Sequence, residues 1–224
     1  TAALAVNDAA NVNFATLPIP AGSSDIALIA LNKTTGAGAW ATRISSTGAD
    51  VGRGITFDAN GIYVTGGVDN NASFISTGPS TFTTVTTSSQ DMFVAKLNTA
   101  GVFQWVRRET GNGTSEFGKS ITAVSNKLFI SGNFNSTVAL PLLTLTTAGS
   151  SDIFLLSYLT NGQFIYAKKA GGLNADQGTG VAADNNADAY VGGDHMGGAG
   201  GAIFTPFATG TGATRNCYVA KCGC

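Results

Sequence analysis

Charge is what this sequence has least of. Of 224 residues only 11% are charged, with 12 Lys and Arg against 13 Asp and Glu and a formal net charge of −1. Globular proteins average about 25% charged. A near-neutral chain has no basic footprint for nucleic acid. There is a single histidine, His195, and three cysteines, all within the last eight residues. General acid–base equipment is therefore sparse, and no disulfide framework runs through the chain. Nucleophile elbows, phosphate loops and His-Glu-x-x-His zinc motifs are missing. No apolar run approaches the roughly 18 residues that mark a membrane-spanning helix. Helical periodicity is absent as well, and 30 glycines are spread through the sequence.

What is present is hydrophobic and hydroxyl-rich: 43% apolar residues, 28 Thr and 17 Ser. That much apolar surface excludes a disordered chain. It also repeats. Asp25-Ile-Ala-Leu-Ile-Ala-Leu31, Asp91-Met-Phe-Val-Ala-Lys-Leu97, Asp152-Ile-Phe-Leu-Leu-Ser-Tyr158 and Asn216-Cys-Tyr-Val-Ala-Lys221 are copies of one segment, 66, 61 and 64 residues apart. A glycine turn and an aromatic strand follow in the first three, as Gly38 then Trp40, Gly101 then Trp105, and Gly162 then Tyr166. Next come small-residue strands around Ile55, Ile121 and Val181, then Ile62-Tyr-Val-Thr-Gly66, Leu128-Phe-Ile-Ser-Gly132 and Ala189-Tyr-Val-Gly-Gly193. These runs are short, rich in β-branched and aromatic residues, and bounded by turn formers, so they read as strands. Asp58-Ala-Asn-Gly61 and Asp184-Asn-Asn-Ala187 read as hairpin turns in which Gly or Asn takes positive φ.

Four strands recurring about every 63 residues predict an all-β, propeller-like array of about 3.5 repeats, over roughly 1–50, 51–111, 112–171 and 172–224. The run of Gly-x-Gly-Ile-x-x-Asp at 52–58, Tyr63-Val-Thr-Gly66, a Thr/Gly-rich excursion, Asp91-Met-Phe-Val-Ala-Lys-Leu-Asn98 and Gly101-x-x-x-Trp105 resembles the bacterial SBBP-type β-propeller repeats. The resemblance covers nearly the whole chain. It implies a β-propeller in a secreted or surface protein, with no common catalytic set.

Counting Leu4-Ala-Val6 as a degenerate second strand gives 14 strands, two short of four blades, with the deficits in different blades. Open strand edges are templates for another chain, and low charge removes repulsion between copies. The expectation is a self-associating, non-enzymatic structural subunit of an extracellular filament or surface assembly, with Leu4, Val6, Tyr218 and Val219 in the assembly strands. Thr1 reads as an end left by removal of a signal sequence. A monomeric adhesion propeller binding carbohydrate is the alternative, with Trp40, Trp105 and Tyr166 either packing blades together or stacking sugars.

The odd cysteine count suggests a bridge between chains or a free thiol, with Cys217, Cys222 and Cys224 the candidates. Cys217 is expected to be buried at the Phe93 position of its repeat, and Cys222 and Cys224 to form a local or intersubunit bond. A thiolate metal site would need these three and His195 to converge. His195, beside Asp194, is expected in a loop after its strand. No cofactor is expected beyond calcium, for which Asp58, Asn60, Asp184 and Asp188 supply oxygens, although turns select the same residues. Asp25, Asp91 and Asp152 are expected to cap or bridge the strand starts.

Overall fold

The structure is a computed structural model that describes residues 24–69, 71–76, 81–84, 90–113, 115–196, 203–204, 207–208 and 215–222. The described residues are all β, with no helix. The first repeat supplies β1 (Ile26–Leu31) and β2 (Gly38–Ser45). The second runs β3 (Val51–Asp58), β4 (Gly61–Val68), a short hairpin of β5 (Ala72–Ile75) and β6 (Thr81–Thr84), then β7 (Asp91–Leu97) and β8 (Phe103–Gly111). The third runs β9 (Phe117–Val124), β10 (Lys127–Phe134), the hairpin β11 (Thr137–Leu140) and β12 (Leu143–Thr146), then β13 (Asp152–Leu159) and β14 (Phe164–Ala170). The fourth runs β15 (Gln177–Ala183), β16 (Ala189–Met196), the pair β17 (Ile203–Phe204) and β18 (Phe207–Ala208), and β19 (Arg215–Cys222). Seventeen of these strands form four antiparallel sheets, and β17 and β18 pair with each other.

Within a repeat the strands follow in order as a meander. Tyr63 sits opposite Lys96, and Lys96 opposite Trp105. In the third repeat Leu128 sits opposite Tyr158, which faces Phe164. The excursions, for which no strands were expected, fold into short hairpins, and the first two join the outer strand of the preceding repeat, whereas β17 and β18 pair only with each other among the described residues. Arg43 of β2 pairs with Ile75 of β5, and Gly111 of β8 with Val138 of β11. The excursion Thr137-Val-Ala-Leu-Pro-Leu-Leu-Thr-Leu-Thr146 alternates apolar and hydroxyl residues about Pro141 and Leu142, so its apolar side can bury Val138, Leu140 and Leu145. The outer strand offers the unpaired backbone groups it needs.

Both faces of each inner sheet are covered, so its strands read as continuous apolar runs instead of alternating ones. On β7, Met92 and Val94 join a core with Phe154, Leu156 and Tyr158 of the third repeat. Phe93, Ala95 and Leu97 point the other way, into a core with Ile44, Phe74 and Phe103. Ile153 and Leu155 of β13 continue the pattern toward Ala189, Val191 and Ala220. Each fully buried Phe or Leu contributes roughly 1.5–3 kcal/mol. The first strands also stack: β9 packs on β3 and β4, and β15 on β9 and β10. Ile121 of β9 is buried in this way, whereas its counterpart Ile55 and nearby Phe57 on β3 are exposed. The strand expected on their side, Leu4 to Val6, lies outside the described residues.

Candidate functional site: the junctions between repeats

Among the described residues the first two junctions are fastened at both ends of their strands and the third at one. At one end, the residue before a third strand bonds the residue that opens the next repeat: Asp50 N–H donates to Ser24 O at 2.8 Å, Glu116 N–H to Gln90 O at 3.2 Å, and Asp176 N–H to Ser151 O at 2.8 Å. Those three acids are buried. Their carboxylates gather donors from both sides of the junction. Asp50 Oδ1 accepts from Ser46 Oγ and Asp69 N–H, both at 2.9 Å. Asp176 accepts from Gly172 N–H at 2.8 Å and Met196 N–H at 3.0 Å. Glu116 Oε1 accepts from Gly113 N–H at 3.1 Å.

Beside them stand the strand-start aspartates, each with a cation on the neighbouring fourth strand. Arg108 reaches Asp91 Oδ2 through Nη2 at 2.9 Å and Nε at 3.0 Å, and both side chains are buried. Lys169 Nζ lies 3.7 Å from Asp152 Oδ2, which also accepts from Ala148 N–H at 2.9 Å. Arg43 and Asp25 take the same positions in the first repeat, and the guanidinium partly offsets the upward push that burial gives the Asp25 carboxyl. The expected bridging role is seen for Asp91 and Asp152, whose partners are cations of the adjacent strand, while Arg43 acts on Asp25 through its charge alone.

Two acids with one cation leave a surplus negative charge in a dry place, and burial disfavours the ionised form. Burial pushes Asp50 up to about 6, against the lowering effect of its hydrogen bonds. Burial and the facing Asp91 push Glu116 up to about 8. Burial also raises Asp152, countered by the Ala148 amide and Lys169. Glu109, buried on β8, is raised by burial and receives the hydroxyl proton of Tyr158 in a hydrogen bond across the second junction.

At the other end of the strands the fastening is aromatic. Trp40 Nε1 donates to Thr99 O at 2.9 Å in the turn of the next repeat, and Trp105 Nε1 to Thr160 O at 3.2 Å. Arg107 Nε adds a bond to Gly162 O at 2.9 Å. The indoles lie over glycines whose φ is +77° at Gly101 and +86° at Gly162. A Cβ at Gly101 would come 2.5 Å from the Trp40 ring, and one at Gly162 would come 3.0 Å from Trp105. In the first repeat the equivalent turn glycine is Gly36, φ +72°, and Gly38 instead opens β2. Tyr166 packs toward the fourth repeat. Trp40 and Trp105 thus each pack against the following repeat while remaining half-buried.

The remaining sequence candidates are scattered. Asp58 Oδ1 accepts from Asn60 N–H at 2.7 Å, Gly61 N–H at 3.1 Å and Tyr63 Oη at 3.1 Å. Asp184 does the same with Asn186 N–H at 2.9 Å, Asp188 N–H at 3.0 Å and Tyr190 Oη at 3.1 Å, while Asp188 pairs with Lys221 at 2.7 Å. These oxygens organise turns. In the second turn Ala187, not an Asn, takes positive φ, at 63°. Among the described residues no three His, Cys, Asp or Glu side chains gather where a metal could sit. His195 lies inside β16 opposite Asn216 and is buried, a correction to its expected loop position. Cys217 is exposed, not buried. It pairs with Asp194 as Met92 pairs with Gly67, which places it at the Met92 position. Cys222 points to the opposite side and packs against the third-repeat core. Val219 is exposed on β19, the strand that also carries Tyr218. Leu4, Val6 and Cys224 lie outside the described residues.

The acids Asp50, Glu116 and Asp176 escape sequence reasoning although each stands immediately ahead of its first strand, five residues before Ile55, Ile121 and Val181; that fixed offset, with Asp or Glu at it, is the signal that could have found them. No protein-family model matches the chain, and no curated protein matches it in sequence.

Proposed function

We propose that the chain is a secreted, non-catalytic structural module of the SBBP-type β-propeller kind, which self-associates through its open sheet edges into a filament or surface assembly. Its first strands, β3, β9 and β15, follow one another as the inner strands of adjacent blades would. One observation carries the assembly reading: sheets in this chain are completed by strands from the next repeat, as β5 completes the sheet of β2 and β11 that of β8. Among the described residues β1 has one neighbour, β2, and β19 has one, β16, so each offers a free ladder for strand addition. The non-catalytic reading draws on the site chemistry, since the titratable groups that cluster are buried in the junctions and held by protein donors. Extracellular placement rests on the resemblance and on a surface of hydroxyls and glycine. Multi-angle light scattering and electron microscopy of native material test the proposal. Concentration-dependent assemblies are expected, and a monodisperse 22.6 kDa particle at every concentration overturns it.

A further inference from the structure

We infer that a second copy of this chain docks face to face, with the outward face of its β19 covering the outward face of β1. This rests on the self-association proposed above but places the contact on sheet faces in place of sheet edges. It differs from strand addition because the contact repeats the stacking between internal repeats instead of extending a ladder.

The internal junctions define what such an interface looks like. One side is the forward face of a third strand, where Met92 and Val94 are 1% and 0% exposed beneath the following repeat. The other is the rear face, where Phe93 and Leu97 are both 0% exposed against the preceding one. Leu97 leads into a turn whose glycine, Gly101, lies under an indole of the preceding repeat. Both halves recur exposed at opposite ends of the described residues. On β19 the forward positions are Cys217, exposed, and Val219, 79% exposed. On β1 the rear positions include Leu31, 52% exposed, which leads into the turn of Gly36. Gly36 has the same left-handed backbone as Gly101, yet nothing lies within 4 Å of the place its Cβ would take.

An apolar half-interface therefore sits at each end, and the two are of the kinds that mate inside the molecule. A contact between unlike faces is heterologous, so it propagates into a ring or an open filament instead of stopping at a dimer. The occupant favoured for the β1 face is accordingly the β19 face of another copy, by continuity with the internal junctions.

Complementary blocking tests this in the full chain. Val219→Asp removes the forward face and Leu31→Asp the rear face. Both positions are exposed, and circular dichroism checks that each variant folds. Wild type is expected to assemble, and each variant alone to be monomeric with association weakened at least tenfold. An equimolar mixture should form dimers and nothing larger, because each variant retains the face the other lacks. Assembly of Val219→Asp at the wild-type concentration overturns the inference and leaves edge pairing in place. Assembly of Leu31→Asp overturns it as well, pointing to a like-with-like β19 contact or to cover of β1 by residues 1–23. A wild type that never assembles overturns this inference together with the function it rests on, a different result from assembly that ignores both substitutions.

Discussion

Trp105 and Gly162 belong to successive repeats, and the indole of one lies over the backbone of the other, with φ at +86° and Nε1 bonded to the adjoining Thr160 carbonyl at 3.2 Å. The glycine is needed twice there, for its backbone region and for the approach of the ring. Gly101 under Trp40 is tighter still, with a Cβ only 2.5 Å from the ring.

Gly101→Ala should therefore cost more than Gly36→Ala. The left-handed backbone costs roughly 1–2 kcal/mol in either case. Only Gly101 adds a clash with the Trp40 ring, which brings its total to about 3 kcal/mol. Urea unfolding of the two variants measures the gap. Equal losses would show that the indole yields freely.

Stability should fall as pH rises across the neutral range. Asp50 and Glu116 bind their protons more tightly folded than unfolded, at about 6 and about 8 against ordinary values of 3.8 and 4.5. For acids with raised values, the folded state is favoured most below the unfolded values, near pH 4, and loses that advantage as pH climbs toward 8. Glu116→Gln keeps the shape without the charge. It should flatten the profile and raise stability at pH 8 by on the order of 1–3 kcal/mol. Thermal unfolding at pH 4.5, 6 and 8 reads the slope.

Removing the cation has the opposite sense. Arg108→Met leaves Asp91 buried beside Glu116 with no counter-charge, and breaking a buried pair in this way costs about 3–5 kcal/mol. The double substitution Arg108→Met with Asp91→Leu should recover most of the loss, measured as a double-mutant cycle.

Calcium chelation should leave the melting temperature unchanged, because the Asp58 and Asp184 carboxylates are already engaged by amides and tyrosine hydroxyls. Asp58→Ala, by contrast, should cost about 1–2 kcal/mol through the lost turn bonds. A chelator-induced shift comparable to that loss would assign these turns to a metal after all.

Ser136 is exposed and held at φ 91°, a region that suits glycine. Ser136→Gly should stabilise by about 1 kcal/mol, less the entropy that glycine adds to the unfolded chain. Chemical denaturation at fixed pH is sufficient to see it.

The recurring strands were legible because Asp91-Met-Phe-Val-Ala-Lys-Leu97 and its copies keep residue type and spacing through every repeat. The indole contacts were half legible: one aromatic per repeat at an equivalent place suggested packing between repeats, but not that Trp40 and Trp105 would each sit on the next repeat's turn glycine. Cys217 was misplaced by one position because the last copy replaces Asp by Asn216 and Met by Cys, and a slip of one residue moves a side chain to the other face of its strand. The excursion hairpins were invisible for a different reason. Their pairing partners lie in the previous repeat, and a short Thr-rich run says nothing about which distant edge will accept it. Junction acids vary between Asp and Glu, and although each directly precedes its first strand, a single acid at a loop end says nothing of burial; their common hydrogen bond to the preceding repeat shows what the position does.

The hairpins that reach back to the preceding sheet also set an order of events. As the chain is made from its N-terminus, the sheet of β2 waits for β5 and that of β8 waits for β11, so the first two repeats are finished by residues translated after them. While the second and third repeats are being made, the growing chain carries an incomplete edge behind it, and the hairpin of each closes the gap left by the repeat before.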